Sequence, residues 1–205
     1  MLRHALEYIA RGWAVLPLHT TDGRACSCSR GASCPSPGKH PKTADGVTAA
    51  STDEAQIREW WARWPDAWIG VATGEASGIW VLDIDTGAPP GGVAGVEAAR
   101  ALAADRGPLG SLQAVTGGGG RHVFYAMPAD RPVRNRQRLR LTPDGVQTGL
   151  DVRGTGGYVV VAPSGHYSGG AYRWTGGELV EAPAWLLDLV APVAAPAQAP
   201  AVAVD

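Results

Sequence analysis

The chain has 205 residues, 45% of them hydrophobic and 18% charged, with a formal net charge of -1 at pH 7. That length holds one sizeable core with a small appendage at most, and the composition is that of a folded rather than a disordered chain. No run of about 18 apolar residues occurs, which excludes a membrane-spanning helix, and the near-zero charge does not by itself announce a nucleic-acid binder.

The first seven residues include Glu7 and lack the apolar core of a signal peptide, so the cytoplasm is the expected compartment. Residues 2–11 read as a helix stopped by Gly12, and 13–18 as a short apolar strand. Residues 19–50 are rich in Gly, Pro, Ser and Cys and read as a long ordered insertion. Ser51 or Thr52 then caps a helix, with Glu54 completing a capping box from Ser51. Ile57, Trp60, Trp61 and Trp64 fall on one helical face and read as core, not as a base-stacking platform. Pro65 closes that helix. Strands are expected at 68–72, 78–84, 112–116, 122–127, 149–152, 158–162 and 171–174, with helices at 93–105 and 183–190. The late strands follow one another without helices between them. The class is therefore α+β with a mainly antiparallel or mixed sheet. From Ala191 onward the chain is Ala/Pro/Val-rich and reads as a linker or disordered tail, which leaves 1–190 as the folded domain.

One strand carries the first chemical signal. In Ile79-Trp80-Val81-Leu82-Asp83-Ile84-Asp85, period two puts Asp83 and Asp85 on one face and Trp80, Leu82 and Ile84 on the other. Paired carboxylates at a strand end are costly unless a cation neutralises them. They suit two divalent ions about 3.5–4 Å apart, as used in phosphoryl and nucleotidyl transfer. A solvated turn is the alternative. Asp151 sits on another short apolar strand and is a candidate third carboxylate, with Arg153 on the same face as a phosphate contact or a plain ion-pair partner.

Three cysteines lie within nine residues. Cys26, Cys28, Cys34 and His40 make a Cys3His set suited to structural, tetrahedral Zn2+, which would staple the 19–50 insertion. His19 competes for the fourth place, and three free thiols are the alternative reading. The run Gly117-Gly118-Gly119-Gly120 precedes Arg121 and His122. Its backbone amides could cradle an anion, although no Walker lysine follows and a hairpin turn is the simpler reading. Ser164 and His166 lie on a turn and could face a nucleotide. Arg131, Arg134, Arg136, Arg138 and Arg140 crowd one segment, either a solvated edge or a path for nucleic-acid phosphates.

In chain order these pieces resemble one family. They are Gly12-Trp13 with Leu16-Pro17-Leu18, Gly38-Lys39-His40-Pro41, Trp60-Trp61 with Pro65, Ile69 through Gly74, Leu82-Asp83-Ile84-Asp85, Thr116 through Gly120 with His122, Gly149-Leu150-Asp151-Val152-Arg153, and Ala162-Pro163-Ser164 with His166. The chain resembles the prim-pol domain of bifunctional DNA primase/polymerases, in the archaeo-eukaryotic primase superfamily, over roughly residues 2–190. The resemblance implies an RRM-like catalytic sheet joined to a second small α/β unit, with the active site between them. It implies Asp83, Asp85 and Asp151 as ligands of catalytic Mg2+ or Mn2+. It further implies that His122 and the amides of Gly118, Gly119 and Gly120 grip a (d)NTP, with Arg121, Arg153, Ser164 and His166 as secondary contacts. DNA template and primer are the implied partners, together with a helicase, in plasmid- or phage-type replication. No helicase or helical accessory region follows residue 190, so a stand-alone form or an N-terminal part is expected, and primer initiation is less supported than extension. Two other classes stay open: a metal-dependent nuclease, and a non-catalytic DNA- or nucleotide-binding module.

Overall fold

Helix α1 (Leu2–Ile9) buries Ala5 and Tyr8, and the chain turns at Gly12, whose φ of 80° favours a residue without Cβ. Strand β1 (Val15–Leu18) follows, fully buried. Helix α2 (Glu54–Arg63) is capped by Asp53, whose carboxylate accepts from the Ala55 amide at 3.0 Å. This corrects the expected capping box: the Ser51 hydroxyl accepts from the Asp53 amide instead. The carboxylate takes the cap because it is the stronger acceptor and sits at the positive end of the helix. Ile57 and Trp61 are buried and Trp60 and Trp64 pack beside them, so these aromatics belong to the core.

The remaining elements are β2 (Trp68–Ala72), β3 (Ile79–Ile84), α3 (Gly95–Arg106), β4 (Leu112–Val115), β5 (Arg121–Ala126), β6 (Leu150–Arg153), β7 (Tyr158–Val160), β8 (Arg173–Gly176), β9 (Val180–Glu181) and α4 (Ala184–Val190). The computed structural model describes residues 1–142 and 144–191, so the proposed Ala/Pro-rich linker lies outside the described residues apart from Ala191.

Two sheets form. One has the order β1-β2-β7, the other β6-β3-β5-β4-β8, and every one of these pairings is antiparallel. The two-residue β9, not foreseen from the sequence, adds the one parallel pairing among the named strands, to β5. The architecture is mixed α+β, as expected. A shared core joins the sheets: Ile79, Val81 and Phe124 from the larger pack with Val15, Ile69, Val71 and Val159 from the smaller and with Tyr8, Ile57 and Trp61. The opposite face of the larger sheet, with Trp80, Leu82, Ile84, Val123 and Val152, is covered by Ala98 and Ala99 of α3 and Leu186 and Val190 of α4. Strand β3 is therefore apolar on both faces up to Asp83, which is why its sequence runs apolar rather than alternating. No helix among the described residues is long and apolar enough to cross a membrane.

Candidate active site and metal centre

Residues 83, 122 and 151 are far apart in sequence, but the register of the larger sheet aligns them. Asp83 on β3 lies directly opposite His122 on β5 and Asp151 on β6. Directly opposed residues share a face, so β-pairing alone builds the row Asp151–Asp83–His122. The same face continues into Val81 and Phe124 of the shared core, so the row sits at the end of the seam between the sheets. Its side chains are largely buried: Asp83 retains 14% exposure, Asp151 12% and His122 5%.

Buried carboxylates need partners. Arg153, two residues beyond Asp151 and on its face, supplies them. Its Nη2 lies 2.8 Å from Asp151 Oδ2 and 3.3 Å from Asp83 Oδ2. The other oxygen of Asp151 accepts from the Arg138 amide at 2.8 Å, where Arg138 turns with a φ of 54°. His122 Nε2 stands 3.4 Å from Asp83 Oδ1, an ion-pair distance too long for a strong hydrogen bond. His122 Nδ1 is buried without a partner among the described residues. Burial alone would raise the Asp83 carboxyl, but His122 and then Arg153 outweigh it and hold it at about 2.

Asp85 lies one residue past β3, where its amide donates to Gly149 O and its carbonyl accepts from Val96 N. Desolvation, then the charges of Asp83 and Asp151, raises its carboxyl above the usual range, although Lys39 and Arg153 pull the other way. Asp85 is exposed, so the neighbouring charges are the informative part. Three acids with one guanidinium inside the cluster leave uncompensated negative charge, and hard carboxylate oxygens suit Mg2+ or Mn2+. The donor chemistry suits such ions, but the ligand atoms of the three acids do not all lie within 4.8 Å of one another, so holding an ion would require their side chains to draw together.

Linkage gives each acid a sign. Asp83 is depressed, so its stabilising contribution is present above the unfolded value of about 4 and is lost as pH falls toward about 2. Asp85 is raised, so its ionisation costs stability above its folded pKa and costs nothing below about pH 4. In buffer free of Mg2+ and Mn2+, Asp85→Asn is therefore expected to melt at or above the temperature of the unaltered protein at pH 7, with the gap closing near pH 4. A clearly lower melting temperature at pH 7 would show that Asp85 is a structural acid.

Asp83 and His122 of the row open into a cavity of about 290 Å3 that is also lined by Lys39, Arg153, Tyr158 and Tyr172, among others, whereas Asp151 and Asp85 do not line it. Tyr158 and Tyr172 were given no role from the sequence, and Lys39 entered only within the piece Gly38-Lys39-His40-Pro41, because only the folded insertion brings Lys39 over β7. Other expected contacts lie elsewhere. Arg121 faces away: it pairs with Ile84 and lines a separate cleft of about 500 Å3 with Val96, Arg100 and Leu109. Strand alternation requires this, since its neighbour His122 faces the row. Ser164 is fully buried, and its hydroxyl accepts from Ile69 N at 2.9 Å, which ties the turn to β2. His166 bonds Ser168 Oγ through Nδ1 at 2.8 Å, and its ring packs against Gly117 and Gly118. In the glycine turn the Gly119 amide is already committed to Thr116 O, so it is not free to cradle an anion.

The arginine-rich segment runs beside β6, with bridges Arg134↔Thr155, Arg136↔Val152 and Arg140↔Gln147. Arg131 pairs with Asp188 at 2.7 Å, Arg136 donates to Leu189 O, and Arg140 donates to Gly145 O. The exposed Arg134 and Arg138 side chains have no such partner among the described residues.

A second centre lies in the insertion. Among the described residues, Cys26, Cys28, Cys34 and His40 are the one set of three or more possible metal-ligating side chains whose ligand atoms converge to within 4.8 Å of one another. Backbone bonds assemble it. Cys26 N donates to Gly31 O, Gly31 N to Cys28 O, and Cys34 N to Gly31 O, while His19 N donates to His40 O and draws that residue beside β1. His40 Nε2 lies 3.4 Å from both Cys26 Sγ and Cys34 Sγ. Ligands of a tetrahedral Zn2+ at about 2.0–2.3 Å are roughly 3.5 Å apart, so the group could bind zinc. Desolvation would raise the Cys28 thiol, but hydrogen bonds from the Arg30 backbone and from Cys26 and Cys34 outweigh it and lower it, while desolvation and the neighbouring Cys28 and Cys26 raise Cys34, as expected where three thiols crowd together and a first thiolate opposes the next. His19 is outside this set: its Nδ1 bonds Ser27 Oγ at 2.9 Å and its ring packs on His40.

Gly38 locks the end of the insertion to the body of the protein. Its φ is 71°, and a Cβ there would enter the Trp68 ring. Gly38→Ala is expected to cost at least about 2 kcal/mol, from backbone strain plus the clash. Chemical denaturation would read it as a lower midpoint at unchanged slope, and an unchanged midpoint would contradict the packing described.

The molecule thus joins a sheet bearing a buried carboxylate row beside a cavity to a smaller sheet and a Cys3His insertion. The chain matches the family Prim-Pol, described as bifunctional DNA primase/polymerase, N-terminal, over residues 5–185, and it belongs to that family. Membership implies DNA primase/polymerase-type activity, with DNA and nucleotides as substrates. No curated protein matches the chain.

Proposed function

We propose that this chain is a metal-dependent nucleotidyltransferase that extends a primer 3′-hydroxyl from a (d)NTP under the direction of a DNA template. The observation that carries the reading is the row Asp151–Asp83–His122, closed by Arg153, whose Asp83 and His122 line the cavity. Asp83, Asp85 and Asp151 would hold Mg2+ or Mn2+. Such ions, when bound, lower the pKa of an attacking hydroxyl and offset charge on the transferring phosphate. The protein's own groups do the rest. His122 lines the cavity, and its buried Nδ1, unpartnered among the described residues, leaves the ring a spare donor site should it turn toward a phosphate there. Arg153 neutralises Asp83 and Asp151 in the ion-free protein and lies within reach of an anion in the cavity. The exposed Arg134 and Arg138 are the segment's best placed contacts for template or primer phosphates, and the Arg138 amide ties that path to Asp151. Zn2+ on Cys26, Cys28, Cys34 and His40 would be structural.

The RRM-like reading of the catalytic sheet is supported by the antiparallel strand order β6-β3-β5-β4, with α3 between β3 and β4. The sheet β1-β2-β7 with α1 and α2 fits the second small unit, and residues 1–190 are taken as one catalytic domain. A helicase partner in plasmid- or phage-type replication completes the proposal.

The test is extension of a labelled primer on a template. Stepwise lengthening that follows the template, requires Mg2+ or Mn2+ and stops with EDTA supports the reading. Shortening of the primer would favour a nuclease, and DNA binding without any product would favour a binding module.

A further inference from the structure

We propose that Lys39 binds the phosphates of the incoming nucleoside triphosphate, and that zinc ligation by its neighbour His40 sets its position. This rests on the nucleotidyltransferase reading above.

Lys39 lines the same cavity as Asp83, His122 and Arg153, although it comes from the insertion. Its backbone is fixed on several sides. Gly38 packs on the Trp68 ring, the Tyr158 hydroxyl donates to Lys39 O at 2.5 Å, and Lys39 N donates to Ser36 O at 3.1 Å. The next residue, His40, stands 3.4 Å from two cysteine sulfurs. The side chain, by contrast, is uncommitted. It is exposed and forms no ion pair among the described residues, and its Nζ lies 5.6 Å from the Tyr167 ring centroid.

The charges favour an anionic ligand here. Arg153 is occupied by two carboxylates, so Lys39 is the cavity's uncommitted cation among the described residues. A lysine ammonium binds phosphate as a compact point charge with three donors. A cation on a flexible stem is most useful when its backbone is held, since less freedom is then lost on binding. A Cys3His staple one residue away supplies that hold. The zinc centre therefore acts on nucleotide binding through Lys39, not only on stability.

The experiment measures dNTP binding by isothermal titration calorimetry with Mg2+, using the zinc-loaded protein, and DNA binding separately by gel shift. Lys39→Ala is expected to weaken dNTP binding about 10-fold or more, with zinc content, melting temperature and primed-DNA affinity unchanged. Lys39→Arg should recover part of the loss, and a nucleoside monophosphate should be affected less than the triphosphate. Cys34→Ser should weaken dNTP binding in the Lys39 background but add little in the Lys39→Ala background, because both act through one side chain. Equal dNTP binding by the unaltered protein and Lys39→Ala, or a loss confined to DNA, would overturn the inference alone. No dNTP binding by the unaltered protein would overturn the nucleotidyltransferase reading and this inference with it.

Discussion

Asp83→Asn is expected to abolish templated nucleotide incorporation, with a loss of at least about 10²-fold in rate, while the protein stays folded. Removing one group that stabilises transition-state charge has effects of this size. Asp83 has the central place: it faces both His122 and Asp151 across the sheet and contacts Arg153. Asn keeps the shape of Asp; its single carbonyl oxygen can accept from Arg153 while its NH2 can donate toward His122 Nε2, so the shared core should survive. The asparagine also removes the carboxyl held at about 2. Its stability penalty should therefore be present at neutral pH and fade as pH falls from about 4 toward about 2, where the native acid also loses its charge. Single-turnover extension at saturating Mn2+, alongside thermal melting from pH 2 to 7, reads both. Extension at the native rate would remove Asp83 from the chemistry.

The second large effect concerns the insertion. Cys26→Ser is expected to empty the Cys3His centre and to lower the melting temperature by about 10 °C or more. A shift of that size corresponds to a few kcal/mol in a protein of this length, well within what a structural zinc contributes. Cys26 is the buried ligand of the set, and its sulfur lies against His40. Elemental analysis should find about one zinc per chain in the native protein and none in the variant. Hydrogen exchange should show faster exchange across residues 19–50. A native protein that purifies without metal and still protects those amides would refute the staple.

Much of this fold is legible in the sequence, for a definite reason. The larger sheet is covered on both faces, so β3 appears as an uninterrupted apolar run, and α2 declares its buried face by helical spacing. The pairing of Asp83 with Asp151 and His122 was accessible only as a resemblance, because strand register between remote segments has no local signal. Lys39 stood in one of the family-like pieces, but its place beside the row had no local signal, since it depends on a loop folding back over β7. Ser164 could not be told from a ligand contact, since a hydroxyl that satisfies a buried amide looks the same in sequence. Arg121 is different. Strand alternation already opposed it to His122, so the period-two rule was sufficient to exclude it. The cap at Asp53 was obscured in the sequence by the nearby Ser51, which with Glu54 makes an equally good motif, and β9 is too short to carry a pattern.

The carboxylate row is the proposed place where catalytic cations meet the triphosphate. Anomalous diffraction from crystals grown with Mn2+ and a non-hydrolysable dNTP tests this directly. The expected result is Mn2+ density bounded by Asp83, Asp85 and Asp151, with Arg153 released from its bridge and the triphosphate between His122 and Lys39. Mn2+ and nucleotide bound elsewhere, with Arg153 still joining Asp83 to Asp151, would contradict it.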